Sequence, residues 1–144
     1  MEAKELMIRD WVNVSARFLE TTEERNATSG SYKLRQENCR VSGLNGDLIA
    51  IDKIYSDVFS YEPIPLTEET LKANGFCNPK YDDGADVEHI LAYDKDGFLC
   101  LNKHRDYYYI SSKNAYIHIK YVHELQHALR LCGLTKLADS FKID

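Results

Sequence analysis

Pro63 and Pro65 stand on either side of Ile64 near the middle of the 144-residue chain. No sheet ladder runs through both, because proline lacks the backbone donor and holds the residue before it extended. The pair therefore divides the sequence into a lobe over residues 1–62 and a second region over residues 63–144. Domains run from about 50 to 200 residues, so a chain of this length buries one good-sized core or two small ones.

The first lobe reads as strands. Leu6, Ile8, Trp11, Val12 and Val14 are dense and partly alternating, which predicts a first strand from Glu5 to Val14 with a break near Asp10 and with Trp11 anchoring the core. From Ser15 to Gln36 the composition turns polar, which predicts a long loop or a short exposed helix. Cys39–Leu44 and Asp47–Ile51 flank Asn45-Gly46, the preferred dipeptide of a two-residue hairpin turn. A further strand is expected over Val58–Tyr61. Several short strands around one tryptophan suggest a small, strongly bent sheet or SH3-like barrel.

The second region mixes both kinds of element. Thr67 has the chemistry of a helix N-cap, Glu68 and Glu69 suit the positive end of the dipole, and Asn74-Gly75 suits the far end, with Leu66, Leu71 and Phe76 as apolar contacts. His89–Tyr93, Phe98–Leu101, Tyr107–Ile110 and Tyr116–Ile119, separated by Asp94–Gly97 and Ser111–Asn114, predict a four-stranded antiparallel meander. A last helix is expected from Tyr121 to Cys132, ending at Gly133 with a short tail beyond. The fold class is α+β: an N-terminal β-rich lobe, then a short helix, an antiparallel sheet and a C-terminal helix.

Charge and cysteine usage narrow the function. With 18 basic against 23 acidic residues the net charge is −5, so the averaged field repels phosphate and a duplex nucleic-acid partner is disfavoured. The first residues lack an apolar leader core and no segment approaches the ~20 apolar residues of a membrane span, which predicts a cytoplasmic protein with no membrane partner. Cys39, Cys77, Cys100 and Cys132 show no C-x-x-C pairing and suit reduced, mostly buried thiols. Cys100 and His104 lack a second ligand pair in the sequence. Asp82–Asp86 and Asp94–Gly97 lack the glutamate and spacing of a calcium loop and read as solvated turns.

One string names a chemistry. His123-Glu124-Leu125-Gln126-His127 is H-E-x-x-H, which on a helix sets two imidazoles one turn apart with a carboxylate between them, as in zinc peptidases. A catalytic zinc also needs a third protein ligand. Gly133 stands where the extended motif has its third histidine, Arg130 replaces its glycine, and no glutamate follows Glu124. At about 100° per residue Val122, Leu125, Leu129 and Cys132 form the packing side. His123, Gln126, His127 and Arg130 are then expected on the solvent side, so the motif is expected to hold no metal and no catalytic role.

Tyr107-Tyr108-Tyr109 alternates across one strand, so Tyr107 and Tyr109 share a face. One reading is a stacking platform for a base or small ligand near Lys103, His104 and Arg105. The plainer reading packs one face under the last helix and leaves Tyr108 covering the sheet. No phosphate cradle, G-x-S-x-G elbow or paired Cys-His nucleophile is present in the sequence.

Three stretches carry a resemblance: Ala3-x-Glu5-Leu6-x-Ile8 with Trp11-Val12, Glu62-Pro63-Ile64-Pro65-Leu66-Thr67-Glu68-Glu69 with Leu71 and Gly75-Phe76, and Tyr121-Val122-His123-x-Leu125-Gln126. Through them the chain resembles a family of small uncharacterised proteins encoded by phages, prophages and mobile elements of gut Bacteroidetes. The anchors span nearly the whole chain, while roughly Ser15–Tyr61 and Cys77–Lys120 match only in general character. The resemblance brings no activity and no cofactor. Members of that family tend to have Gln and Asn where this chain has Glu124 and His127; the departure implies that the shared feature is a packing helix in place of a metal site, and the resemblance implies a phage or mobile-element origin. The resulting expectation is a non-enzymatic accessory or interaction protein with a host or phage protein as partner, its contacts on His123, Gln126, His127 and Arg130 together with Tyr107 and Tyr109. The alternatives are a zinc-dependent hydrolase and a single-stranded nucleic-acid binder. The sequence specifies no oligomeric state.

Overall fold

Every second residue of β1 (Trp11–Leu19) is buried: Val12, Val14, Ala16 and Phe18, the period that a strand with one covered face requires. In the computed structural model β1 lies between β2 (Tyr32–Asn45) and β4 (Tyr55–Pro63), with β3 (Leu48–Ile51) outside β2, all antiparallel in the order β3-β2-β1-β4. The structure describes residues 1, 5–19, 32–76, 87–93, 97–105, 107–112 and 115–143. The chain divides into two compact units, Met1–Ile64 and Pro65–Asp144. The protein is α+β.

The first unit differs from its expectation in where strands begin. The chain turns at Met7–Asp10, where Met7 N–H donates to the Asp10 carboxylate at 2.7 Å and Arg9 takes φ 75°, so β1 starts only at Trp11. It then runs through Ser15–Leu19, where a loop was expected, because Ser15 and Arg17 occupy the outward face while Ala16 and Phe18 point inward. The same alternation corrects the role of Trp11. It lies outside the core, half-buried beneath the Arg40 guanidinium at 4.9 Å. The core holds Leu6, Val12, Val14, Ala16, Phe18, Cys39, Val41 and Ile51.

Asn45 pairs with Leu48, so the hairpin loop is Gly46-Asp47, one residue later than expected. Gly46 has φ 61° and Asp47 is not in the positive region, the pattern of a II′ turn led by glycine. Register shifts on either side of Ala16 bend the β1–β4 pair. Among the described residues no ladder joins β3 to β4, so the sheet is a curled, open half-barrel. The loop or helix expected over residues 21–31 lies outside the described residues.

The second unit opens with α1 (Glu68–Ala73). Thr67 Oγ1 accepts from Thr70 N–H at 3.2 Å. Gly75 (φ 80°) and Phe76 donate to the carbonyls of Lys72 and Leu71, which is a Schellman ending. Leu66, Leu71 and Phe76 are all buried. Glu68 pairs with Lys103 and with Lys72, and these two ammonium groups, Lys103 first, hold its carboxyl below the usual carboxylate range.

The four strands β5 (Val87–Tyr93), β6 (Phe98–His104), β7 (Tyr107–Ser112) and β8 (Ala115–Ile119) form an antiparallel meander in sequence order. Of the expected turn at Asp94–Gly97 only Gly97 is described, and residues 78–86, with Asp82–Asp86, lie outside the described residues. At Gly97 a Cβ would run into the Cys132 carbonyl oxygen, so only glycine lets β6 begin against the end of the next helix.

That helix, α2, spans Val122–Leu131 and ends at Gly133 (φ 82°) with Leu134 N–H on the Leu129 carbonyl at 2.8 Å. The expected tail is instead a third helix, α3 (Thr135–Asp139), with Leu134, Ala138 and Phe141 fully buried. No helix among the described residues is long and apolar enough to cross a membrane.

Candidate functional site

The helix that carries H-E-x-x-H is built differently from its expectation. Glu124 turns back along α2, and its Oε1 accepts from the backbone N–H groups of Lys120 at 3.1 Å and Tyr121 at 3.0 Å. A glutamate at the third helical position is well placed for this, because the first four helical N–H groups have no partner within the helix. The carboxylate that a zinc peptidase would use as its base is thus part of the helix start.

The expected solvent side of α2 is largely covered. His123 is 5% exposed and Gln126 is 0% exposed, which corrects the orientation predicted from the sequence. Gln126 Nε2 donates to the Ala138 carbonyl at 2.9 Å, and Arg130 reaches the Asp139 carboxylate at 3.4 Å. Both partners belong to α3, which lies over the side expected to be free. His123 stacks on Tyr121 with centroids 5.9 Å apart and meets half-buried His127 edge-on at 5.7 Å. Among the described residues no set of three His, Cys, Asp or Glu side chains converges as ion ligands. Cys100 and His104 are four residues apart on extended β6, roughly 13 Å, beyond the span of one ion.

The sheet places the other nominated residues. Cross-strand pairing sets Asn102 opposite Tyr109, His104 opposite Tyr107, Tyr109 opposite His118 and Ser111 opposite Tyr116. All of these share one face. Leu99, Leu101, Tyr108 and Ile119 share the other and are buried. Tyr108 is therefore the core residue, with Lys103 Nζ 5.8 Å from its ring, while Tyr107 and Tyr109 stand on the open face. The plainer sequence reading had the roles of these faces reversed.

On the open face five rings converge. Tyr107 stacks on His118 at 5.2 Å and 8°, touches His104 at 5.4 Å and Tyr109 at 5.8 Å, and Tyr109 meets Tyr116 edge-on at 5.4 Å. His104, Tyr107, Tyr109, Tyr116 and His118 line a concavity of about 280 Å³. Tyr116 is 72% exposed. Beneath the rings Asn102 Nδ2 donates to Ser111 Oγ at 3.5 Å, and the Cys100 thiol, pushed up by burial, points to Asn102 Oδ1 at 3.7 Å. Sequence reasoning found Tyr107 and Tyr109 but missed Tyr116 and His118. Their signal was the hairpin register, since β8 residues two apart face the same way as Tyr109.

A second concavity, about 450 Å³, lies on the first unit between Ser15, Leu34, Arg35, Gln36 and Phe59. Its charges are already engaged. Arg35 donates to the Leu19 carbonyl and pairs with Glu37, and Arg17 pairs with Asp57 across the Phe59 ring. The aromatic concavity is the better candidate because its lining is a connected set of rings. Comparison with protein-family models, curated proteins and solved structures finds no match to this chain.

Proposed function

We propose that the chain is a non-enzymatic interaction protein, an accessory component of a phage or other mobile element acting in the host bacterial cytoplasm. Its contact surface on this reading is the open aromatic face of the second sheet. The observation that carries it is the joined set Tyr107–His118 and Tyr109–Tyr116 on the hydrogen-bonded ladder, with Tyr107, Tyr116 and His118 exposed and Tyr109 half-buried. Tyrosine is enriched among the residues that dominate protein interfaces, because a large ring gives contact area at little cost in conformational entropy. Covering one such ring contributes roughly 1.5–3 kcal/mol. The commitment of Glu124 to helix capping weighs against the zinc-hydrolase alternative.

This reading moves the contact surface from the α2 residues to the strands: Gln126 and His123 are buried, Arg130 is paired, and Tyr107 and Tyr109 remain from the sequence-based set. Affinity capture from a host lysate tests it. A Tyr116→Ser/His118→Ser variant changes exposed side chains only and is expected to lose the wild-type partner, with at least tenfold weaker binding of that partner once purified, while His127→Ala keeps it. Identical captured sets for wild type and the strand variant would refute the assignment.

One observation favours a second reading. Exposed rings on adjacent strands also suit stacking of unpaired bases, and exposed Arg105 and Lys120 lie at the ends of these strands. Single-strand binding predicts oligonucleotide affinity that falls steeply with salt. Protein binding through rings predicts a nearly flat salt dependence.

A further inference from the structure

We propose that β8 is a dimerisation edge: two copies of the chain pair antiparallel through Ala115–Ile119 about a twofold axis at Ile117. Among the described residues the ladder of β8 is with β7 alone, so along Ala115–Ile119 its other side is an open edge; that edge ends at Lys120, whose carbonyl accepts from Leu66 N–H at 2.9 Å, with Pro65 bridged to Tyr121. Edges of this kind are normally blunted by charge, proline, a bulge or shortness. The first unit does all of this. Its edge strand β4 carries Asp57, Glu62 and Pro63 and two register shifts, and its other edge, β3, is four residues long between Asp47 and Asp52.

β8 is five residues long and lacks the other guards. Ala115-Tyr116-Ile117-His118-Ile119 contains no charged residue and no proline, and its register with β7 is unbroken. Tyr116 and His118 are exposed on one face and Ile117, 55% exposed, on the other, where Ile119 is buried.

The strand is complementary to itself, which singles out a second copy as the occupant. In the symmetric antiparallel register Tyr116 falls opposite His118 of the other copy, twice, and Ile117 falls opposite Ile117. The aromatic pairs extend the Tyr107–His118 stack across the new seam, and the two isoleucines cover each other on the opposite face. No like charges meet, and Lys120 of each copy lies beyond the ladder, at opposite ends. A twofold axis normal to the sheet keeps both aromatic faces on the same side and makes one eight-stranded sheet. The interface is isologous and closes at two copies.

Sedimentation equilibrium and oxidative cross-linking test this without reference to any partner, and Ile117 lies on the face away from the aromatic concavity, so changes there leave the rings in place. Wild type is expected to be a dimer and Ile117→Lys a monomer, because the added charge is solvated in one copy but meets its twin in two. Ile117→Cys is expected to form a disulfide-linked dimer under mild oxidation, since directly opposed residues of an antiparallel pair lie within bridging distance. Leu131→Cys, at an exposed site on α2, is expected to give no more cross-link than wild type under the same oxidant. A monomeric wild type, a dimer that survives Ile117→Lys, or an Ile117→Cys variant that does not cross-link would each overturn the proposal.

Discussion

The carboxylate of Glu124 meets two backbone donors at the start of α2, and the phenol of Tyr121 makes no cap hydrogen bond of its own. The helix start thus leans on one side chain. Glu124→Ala is expected to lower stability by about 1 kcal/mol, the usual cost of a lost cap. Glu124→Gln keeps an acceptor oxygen and loses only the charge at the helix N-terminus, so its loss should be smaller. Urea midpoints of the three proteins decide this, and equal losses in both variants would mean that charge, not acceptance, is what matters.

Cys39 gives a pH-dependent test in the first unit. Burial, the largest cause, raises its thiol, Lys53 opposes this and Asp52 and Glu37 add to it, the net being a rise from 9.0 to about 11. A group whose folded pKa is raised contributes stability that is complete below the unfolded value and is lost as pH climbs toward the folded one. The wild type should therefore lose roughly 2 kcal/mol between about pH 9 and pH 11 through this thiol. Cys39→Ala, less stable at pH 7 because it leaves a small cavity, lacks that term. The stability gap between the two proteins should narrow as pH rises through this window, and parallel curves would contradict the assignment.

The elements α2 and α3 stabilise each other through polar contacts as well as apolar ones. Gln126→Ala leaves the Ala138 carbonyl without the donor it has in the intact protein, which is expected to cost roughly 1–3 kcal/mol. His127→Ala removes a half-buried ring and should cost less, a ranking that chemical denaturation of the two variants reads directly. Local chemistry was legible in the sequence: the caps of α1, the glycine end of α2 and the four-strand meander follow from neighbours a few residues apart. The extent of β1 and β2 was not, because polar residues on an outward face look like a loop until the sheet behind them is known. The orientation of α2 failed for a related reason. His123, Gln126 and Arg130 lie beside the apolar stripe, not opposite it, and the buried arc widens to roughly 160° once a second element covers that flank. The sign of that element was present in Leu134, Ala138 and Phe141, spaced as one face of a helix, but five helical residues after a glycine stop give a weak periodic signal. The shared face of Tyr107 and Tyr109 was readable from strand alternation, whereas which face stays open depends on where the helices pack.

For the whole molecule, the net charge of −5 and the unguarded β8 edge act in opposite senses. Mutual repulsion disfavours random association, so pairing persists only where backbone groups and rings are matched, as in the symmetric register through Ile117. Association linked to folding has a thermal signature. When two folded copies bind each other and unfolded chains do not, mass action stabilises the folded state as concentration rises, by about 1.4 kcal/mol of dimer for each tenfold increase. The melting temperature of the wild type should therefore climb by roughly 2–4 °C per tenfold rise in protein concentration. Ile117→Lys should melt at one temperature throughout, close to the wild-type value at high dilution, because an exposed lysine on a strand edge costs the monomer little. Differential scanning calorimetry over about a hundredfold range of concentration separates the cases. A wild-type transition that does not move, or a variant transition that moves in parallel with it, would place the association elsewhere on the surface or remove it.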